Sequence, residues 1–263
     1  MTESCILYES RDGIARVTLN RPERLNSFSV EMHRQFAVAM DQLRADERAR
    51  VLVLTGAGRG FCAGQDLHDR KVAADAAPLD LGHSLDTYYR PLILGLRSLP
   101  MPVLCAVNGV AAGAGASIAL ACDVVIATRS ASFVQAFNRI GLVPDAGGTW
   151  FLPRLVGSAR ALGLALTGDA LGASEAAEWG LIWKCVDDNE FVATVDALAQ
   201  KFARGATRGL ASIKRTMQAS MGNTLEQQLD LERDVQRELG LSVDYREGVA
   251  AFLEKRTPSF KGK

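Results

Sequence analysis

Two short segments of small residues constrain this chain most: Phe61-Cys62-Ala63-Gly64-Gln65-Asp66-Leu67 and Asn108-Gly109-Val110-Ala111-Ala112-Gly113-Ala114-Gly115-Ala116-Ser117. Each comes after an apolar run of strand length, residues 51–54 and 103–107, and each stands ahead of sequence with helical character. A strand that feeds a turn of small residues and then a helix dictates an α/β fold, because such a turn lets the backbone reverse within a few residues. The same turns carry a chemical consequence. The first N–H groups of a helix have no partner inside it and carry positive dipole, so a bare turn there stabilises a negatively charged oxygen. Two such halves form one oxyanion-binding device.

The remaining pattern agrees with a mixed α/β core. Residues 6–9 and 14–19 read as a hairpin around Asp12-Gly13. Ser29 caps a helix predicted over 30–43, where Met32, Phe36, Met40 and Leu43 keep helical spacing. Short apolar strands are expected at 51–54, 103–107 and 124–127, and helices at 86–98, 114–121 and 159–166. Beyond Ser174 the pattern turns helical, over 174–179, 190–204, 210–221 and 225–239. Residues 71–84 have little periodicity and read as a mobile loop able to wall a pocket. The expected organisation is a core over 1–200 and a helical C-terminal region over 201–263.

A chain of 263 residues supports one main domain with a small appended element. Its 30 basic and 30 acidic residues cancel, so no global field recruits nucleic acid or an anionic membrane, and any anion site is local. The five cysteines lack the paired spacing of a zinc or redox motif, which fits a reduced cytoplasm. No run approaches the roughly twenty apolar residues of a membrane span, and no leader pattern opens the chain.

A third stretch, from Phe133 to Thr149, places Asp145 among apolar and small residues. An Asp ahead of Ala-Gly-Gly can cap a helix or satisfy turn amides. In an apolar pocket desolvation would instead raise its pKa and make it a proton acceptor and donor near neutral pH. Neither glycine-rich turn is followed by Gly-Lys-Ser/Thr, and the second lacks the third glycine of a dinucleotide fingerprint, which disfavours nucleotide hydrolysis and hydride transfer. Cys62 reads as packing, and His33, His68 and His83 have no ligand spacing, so no metal is assigned. Tyr88, Tyr89, Phe137, Trp150 and Phe151 are aromatic pocket or plain core.

In order and spacing, these stretches resemble the crotonase (enoyl-CoA hydratase/isomerase) superfamily. The segment Asn20-Arg21-Pro22-Glu23-Arg24-Leu25-Asn26 and the C-terminal stretch from Tyr245 to Arg256 join them, so the resemblance covers essentially the whole chain. It implies a spiral of ββα units followed by a helical C-terminal region, assembled as homotrimers or hexamers. It also implies that the N–H groups of Gln65 and Ala114 bind the thioester oxygen of an acyl-CoA, amid Ala63, Gly64, Asp66, Leu67 and Gly115. Arg24 and Leu25 are further implied substrate contacts, with Phe252 and Lys255 reaching the CoA moiety across a subunit boundary, while Phe137 is a substrate contact expected from its aromatic character. Coenzyme A is then part of the substrate, and no separate cofactor is expected.

Family hydratases carry two glutamates, where this chain has Ser117 and Phe137. Neither residue activates water as a carboxylate pair does, so hydration is disfavoured. A single acid/base remains, Asp145, which suits isomerisation. The likeness is greatest to the branch that rearranges the ring epoxide of phenylacetyl-CoA, and the same parts would shift a 3,4 double bond to the 2,3 position. Two alternatives stay open: an aryl-CoA dehalogenase with Asp145 as nucleophile, and an acyl-CoA-binding scaffold without turnover.

Overall fold

The computed structural model describes residues 4–70 and 80–263. The larger part of the loop expected over 71–84 therefore lies outside the described residues. Strands sort into two sheets. The six-stranded sheet is ordered β1 (Ile6–Arg11), β2 (Ile14–Leu19), β3 (Val51–Gly56), β5 (Val103–Val107), β7 (Val124–Thr128) and β10 (Lys184–Val186). The four-stranded sheet is ordered β4 (Gly60–Cys62), β6 (Val110–Ala112), β8 (Ser132–Val134) and β9 (Ala170–Gly172). The hairpin of β1 and β2 turns at Asp12 and Gly13, with φ of 54° and 80°, as an Asp-Gly pair permits. From β2 onward the first sheet is parallel, and β4, β6 and β8 are parallel in the second.

The helices are α1 (Val30–Ala45), α2 (Leu81–Ser84), α3 (Arg90–Ser98), α4 (Ala114–Ala121), α5 (Gly148–Thr167), α6 (Ala173–Glu178), α7 (Phe191–Ala203), α8 (Thr207–Ser220), α9 (Leu225–Gly240) and α10 (Val243–Leu253). The chain winds as ββα units: β3, β4 and α2–α3, then β5, β6 and α4, then β7, β8 and α5. Each unit lends one strand to each sheet, which is the expected spiral.

Strand β3 is buried on both faces. Val51 and Val53 join Val195 and Ala199 of α7 in one apolar cluster, while Leu52 and Leu54 enter the main core on the other side. This two-residue alternation puts a continuous apolar run at the centre of a parallel sheet. Helix α4 goes further, with all eight residues buried, so it shows no amphipathic stripe. Behind it, Lys214 of α8 pairs with Asp123 at 2.8 Å and donates to Leu96 O at 2.9 Å, tying the C-terminal helices to the core.

Several expectations are corrected. The two small-residue turns do not leave β3 and β5 directly, because the three-residue strands β4 and β6 intervene. The first turn runs into a 3-10 turn, Leu67–Arg70, rather than an α-helix. The helix expected at 86–98 begins at α2 and passes through a π turn, Leu85–Tyr89. Helix α5 starts well before 159, with Gly157 in a non-helical state (φ 78°, ψ 162°) and Pro153 within it. These breakers disguise its periodicity. Among the described residues no helix is long and apolar enough to cross a membrane.

Candidate active site

The two small-residue turns meet through their backbones. Gly64 has φ 90°, and a Cβ on it would lie 2.9 Å from Ala112 O and 3.3 Å from Ala114 N. Only glycine allows so close an approach. A parallel bridge joins Phe28 to Gln65: Phe28 N–H donates to Gly64 O at 2.7 Å, and Asp66 N–H donates to Phe28 O at 2.9 Å. Both bonds use the neighbours of Gln65, so the N–H of Gln65 itself points away from Phe28. Ala114 opens α4 behind Gly113, whose φ of 53° and ψ of −127° again suit glycine. As the first helical residue, Ala114 has no acceptor within α4 for its N–H. A Cβ on Gly115 would collide with Cys62 O, so the first turn of α4 lies directly on β4.

Buried side chains lock this arrangement. Gln65 Nε2 donates to Phe28 O at 3.0 Å, and Gln65 Oε1 accepts from the Tyr89 hydroxyl at 3.0 Å. Asp66 pairs with Arg21 at 2.9 Å and accepts the His68 N–H at 3.0 Å. Burial alone would push the Asp66 carboxyl up, but the His68 and Arg21 hydrogen bonds outweigh it and hold the group below its ordinary value. The Asp66 side chain is thus turned into the protein. Ala63 N–H donates to Leu25 O at 2.9 Å, setting the turn of Arg24 and Leu25 against the first oxyanion turn. Arg24 and Leu67 are exposed. Burial pushes the Cys62 thiol up to about 12, so it stays protonated and acts as packing.

Asp145 approaches α4 from the other side. Ala146 (φ 48°) and Gly147 (φ 85°) turn the chain into α5, and Asp145 O accepts the Gly148 N–H at 2.8 Å. The N-cap of α5 is Gly147, so Asp145 does not occupy the capping position. A Cβ on Gly148 would lie 2.8 Å from Ser117 Oγ and 3.1 Å from Pro144 Cβ, which places the Asp145 turn one helical turn along from Ala114. The Phe137 ring is buried 3.7 Å from the point where a Gly113 Cβ would stand. Ser117, Phe137 and Asp145 therefore converge on the N-terminal half of α4. No Asp or Glu occurs from 109 to 122 or from 131 to 144.

Other expected contacts sit elsewhere in the single chain. Phe252 is 84% exposed and lines a cavity of about 460 Å³ with Tyr245, Val249 and Phe260. Lys255 follows α10 on the surface. Trp150 and Phe151 face the Arg97 guanidinium and line a different cavity of about 450 Å³ with Lys214 and Met217. Tyr89 emerges as a support for Gln65, and His33 stacks on Tyr88 at 5.1 Å. Sequence reading missed the Arg21–Asp66 pair and the Tyr89 bond to Gln65, with Tyr89 read only as aromatic pocket or core.

Comparison with known proteins places these features in context. The family described as Enoyl-CoA hydratase/isomerase matches residues 9–263. The chain is 57% identical over 258 residues, 98% of each chain, to 1,2-epoxyphenylacetyl-CoA isomerase of Escherichia coli. It is 51% identical over 263 residues, the whole of both chains, to a Rhodobacter capsulatus protein named "Probable enoyl-CoA hydratase". The crystal structure of an enoyl-CoA hydratase from Bacillus anthracis superposes with a TM-score of 0.92 at 32% identity, covering 98% of this chain and all of that one.

Proposed function

Because the chain belongs to the enoyl-CoA hydratase/isomerase family, we propose that it is an acyl-CoA isomerase that converts ring 1,2-epoxyphenylacetyl-CoA to oxepin-CoA. The same site would shift 3,4 double bonds of enoyl-CoA thioesters to the 2,3 position. One observation carries the reading: beside two backbone donors on Gln65 and Ala114, the segments that pack on α4 offer one carboxylate, Asp145, while Ser117 and Phe137 are neutral. Whole-length identity to an epoxide isomerase supports the ring substrate.

In this mechanism the two N–H groups hold the thioester oxygen as it gains negative charge. Each preorganised donor lowers the barrier by about 3 kcal/mol. Asp145 removes the proton next to the thioester carbonyl, leaving an enolate on the held oxygen. For the double-bond shift the proton returns two carbons further along, and atoms balance without an added reactant. For the ring epoxide, Asp145 manages the charge and proton movements of opening to the seven-membered ring. Coenzyme A is part of the substrate, and the proposal calls for no separate cofactor.

Assembly belongs to the same proposal. Leu225 (75% exposed), Leu241 (79%) and Leu253 (74%) leave much apolar surface on α9 and α10, as trimers or hexamers would bury. Phe252 and Lys255 would then meet the CoA of a neighbouring copy. A cytoplasmic location completes the reading.

The test is product mass and position for both substrates with wild type and Asp145→Ala. Mass-neutral products that disappear in the variant support the proposal. Turnover untouched by the substitution removes Asp145 from the mechanism, and an aryl ester on Asp145 would turn the reading toward dehalogenation.

A further inference from the structure

Two polar atoms of the site stand out. Ser117 Oγ and Gln135 Oε1 are each buried and have no hydrogen-bond partner among the described residues. Their residues are 0% and 3% exposed. Buried polar side chains are nearly always hydrogen-bonded, and leaving one unpaired destabilises the fold.

Their placement says what they serve. Helical side chains lean toward the helix N-terminus, so Ser117 on α4 leans toward Ala114, one turn ahead. Gln135 directly follows β8, whose Val134 O accepts the Gly113 N–H at 2.9 Å, so its amide stands beside the same helix end. The point a Gly148 Cβ would take lies 2.8 Å from Ser117 Oγ and 3.8 Å from Gln135 Oε1. Gly148 also binds Asp145 O through its N–H. Both unpartnered groups therefore flank the turn that carries the proton-transfer residue and the helix that carries a thioester donor.

We infer that Ser117 is the donor of a polar subsite, bordered by Gln135, for a second substrate oxygen, one carried on the ring rather than on the thioester. The inference rests on the functional reading above. The Ser117 hydroxyl donates to that oxygen, while Gln135 Oε1, which only accepts, walls the subsite without bonding an ether oxygen. Their neighbours Phe137, Pro144 and Ile118 offer no hydrogen bond from their side chains. An acyl chain without such an oxygen leaves the Ser117 hydroxyl unsatisfied, so the subsite selects for oxygenated rings. The same chemistry could hold an internal water, and the experiment separates the two sources.

Wild type, Ser117→Ala and Ser117→Cys are compared on epoxyphenylacetyl-CoA and on an oxygen-free 3-enoyl-CoA. The readout is the ratio of kcat/KM for the epoxide to kcat/KM for the enoyl thioester, with the melting temperature of each protein. The expected result is a ratio about ten-fold lower in Ser117→Ala, the scale of one lost hydrogen bond, and an intermediate ratio in Ser117→Cys. The melting temperature of Ser117→Ala should equal or exceed wild type, because an unpaired buried hydroxyl is removed. A ratio that falls less than three-fold overturns the subsite. If that small change comes with a lower melting temperature, the pair holds a water and the subsite is again overturned. Should Ser117→Ala fail to fold, Ser117→Cys decides by the same three-fold limit. Absence of epoxide turnover in wild type sinks the functional reading and this inference with it, whereas wild-type turnover with an unmoved ratio sinks only the inference.

Discussion

The Tyr89 hydroxyl donates to Gln65 Oε1 at 3.0 Å, while Gln65 Nε2 donates to Phe28 O at 3.0 Å. One side chain thus clamps the residue whose backbone N–H the proposal assigns to the thioester oxygen, from a π turn on one side and from the residue before Ser29 on the other.

Removing that clamp should slow chemistry more than it weakens binding. For Tyr89→Phe we expect kcat to fall about five-fold, from the roughly 1 kcal/mol of a neutral hydrogen bond, with a smaller change in KM. Steady-state kinetics on the 3-enoyl thioester would check it, and an unchanged kcat would show that Gln65 holds its place without Tyr89.

Gly64→Ala and Gly141→Ala form a matched pair. Both glycines have positive φ, 90° and 68°, but a Cβ on Gly64 meets the backbone of Ala112 and Ala114, whereas one on Gly141 meets nothing within 4 Å. The Gly141 change should cost about 1 kcal/mol of stability from left-handed strain and leave turnover near wild type. The Gly64 change should add backbone collision to that strain and remove most activity. Thermal melts and initial rates on the two variants read both effects.

Two buried carboxylates should respond to pH with opposite signs. Asp66 is held below its ordinary pKa, so its stabilising effect is present above the unfolded value near 4 and is lost as pH falls through the folded value. Asp123 is pushed up, chiefly by burial, against the pull of Lys214 and the Val103 N–H. Its contribution is therefore greatest at acid pH and is lost as pH rises through its raised folded value. Urea unfolding from pH 3 to pH 7 should show Asp66→Asn flattening the acid-side loss and Asp123→Asn flattening the change above pH 4.

Lys214→Met should destabilise the protein by about 3 kcal/mol or more, because it leaves Asp123 buried without its cation. Lys214 is 7% exposed and Asp123 is 16% exposed, so water does little to replace the pair. Chemical denaturation of the single variant and of Lys214→Met with Asp123→Asn would check this, the double variant recovering part of the loss.

Elements with a long period were legible in the sequence. Ser29 marks the start of α1 through its hydrogen bond from Met32 N–H at 3.2 Å, and β3 and β5 lie where apolar runs predict. The strands β4, β6 and β8 were not legible, since three residues carry no measurable alternation. Of the proposed site, Gln65 and Ala114 could be named through the family resemblance, and Asp145 as a solitary carboxylate among apolar and small residues. Tyr89 was legible only as pocket aromatic or core, because its bond to Gln65 spans 24 residues, and Gln135 gave no signal, because the helices beside it are distant in the chain.

Strands β4 and β6 are neighbours in the second sheet, and the donors of Gln65 and Ala114 leave just beyond their ends. Adjacent strands stand about 4.8 Å apart, a span over which two N–H groups can converge on a single oxygen. The sheet thereby sets the spacing of the proposed grip through peptide geometry, and the Gln65 side chain with Tyr89 holds one donor to it. Residues 117, 137 and 145 lie outside β4 and β6, so the chemistry the proposal assigns them is separate from the strand spacing that sets the two donors.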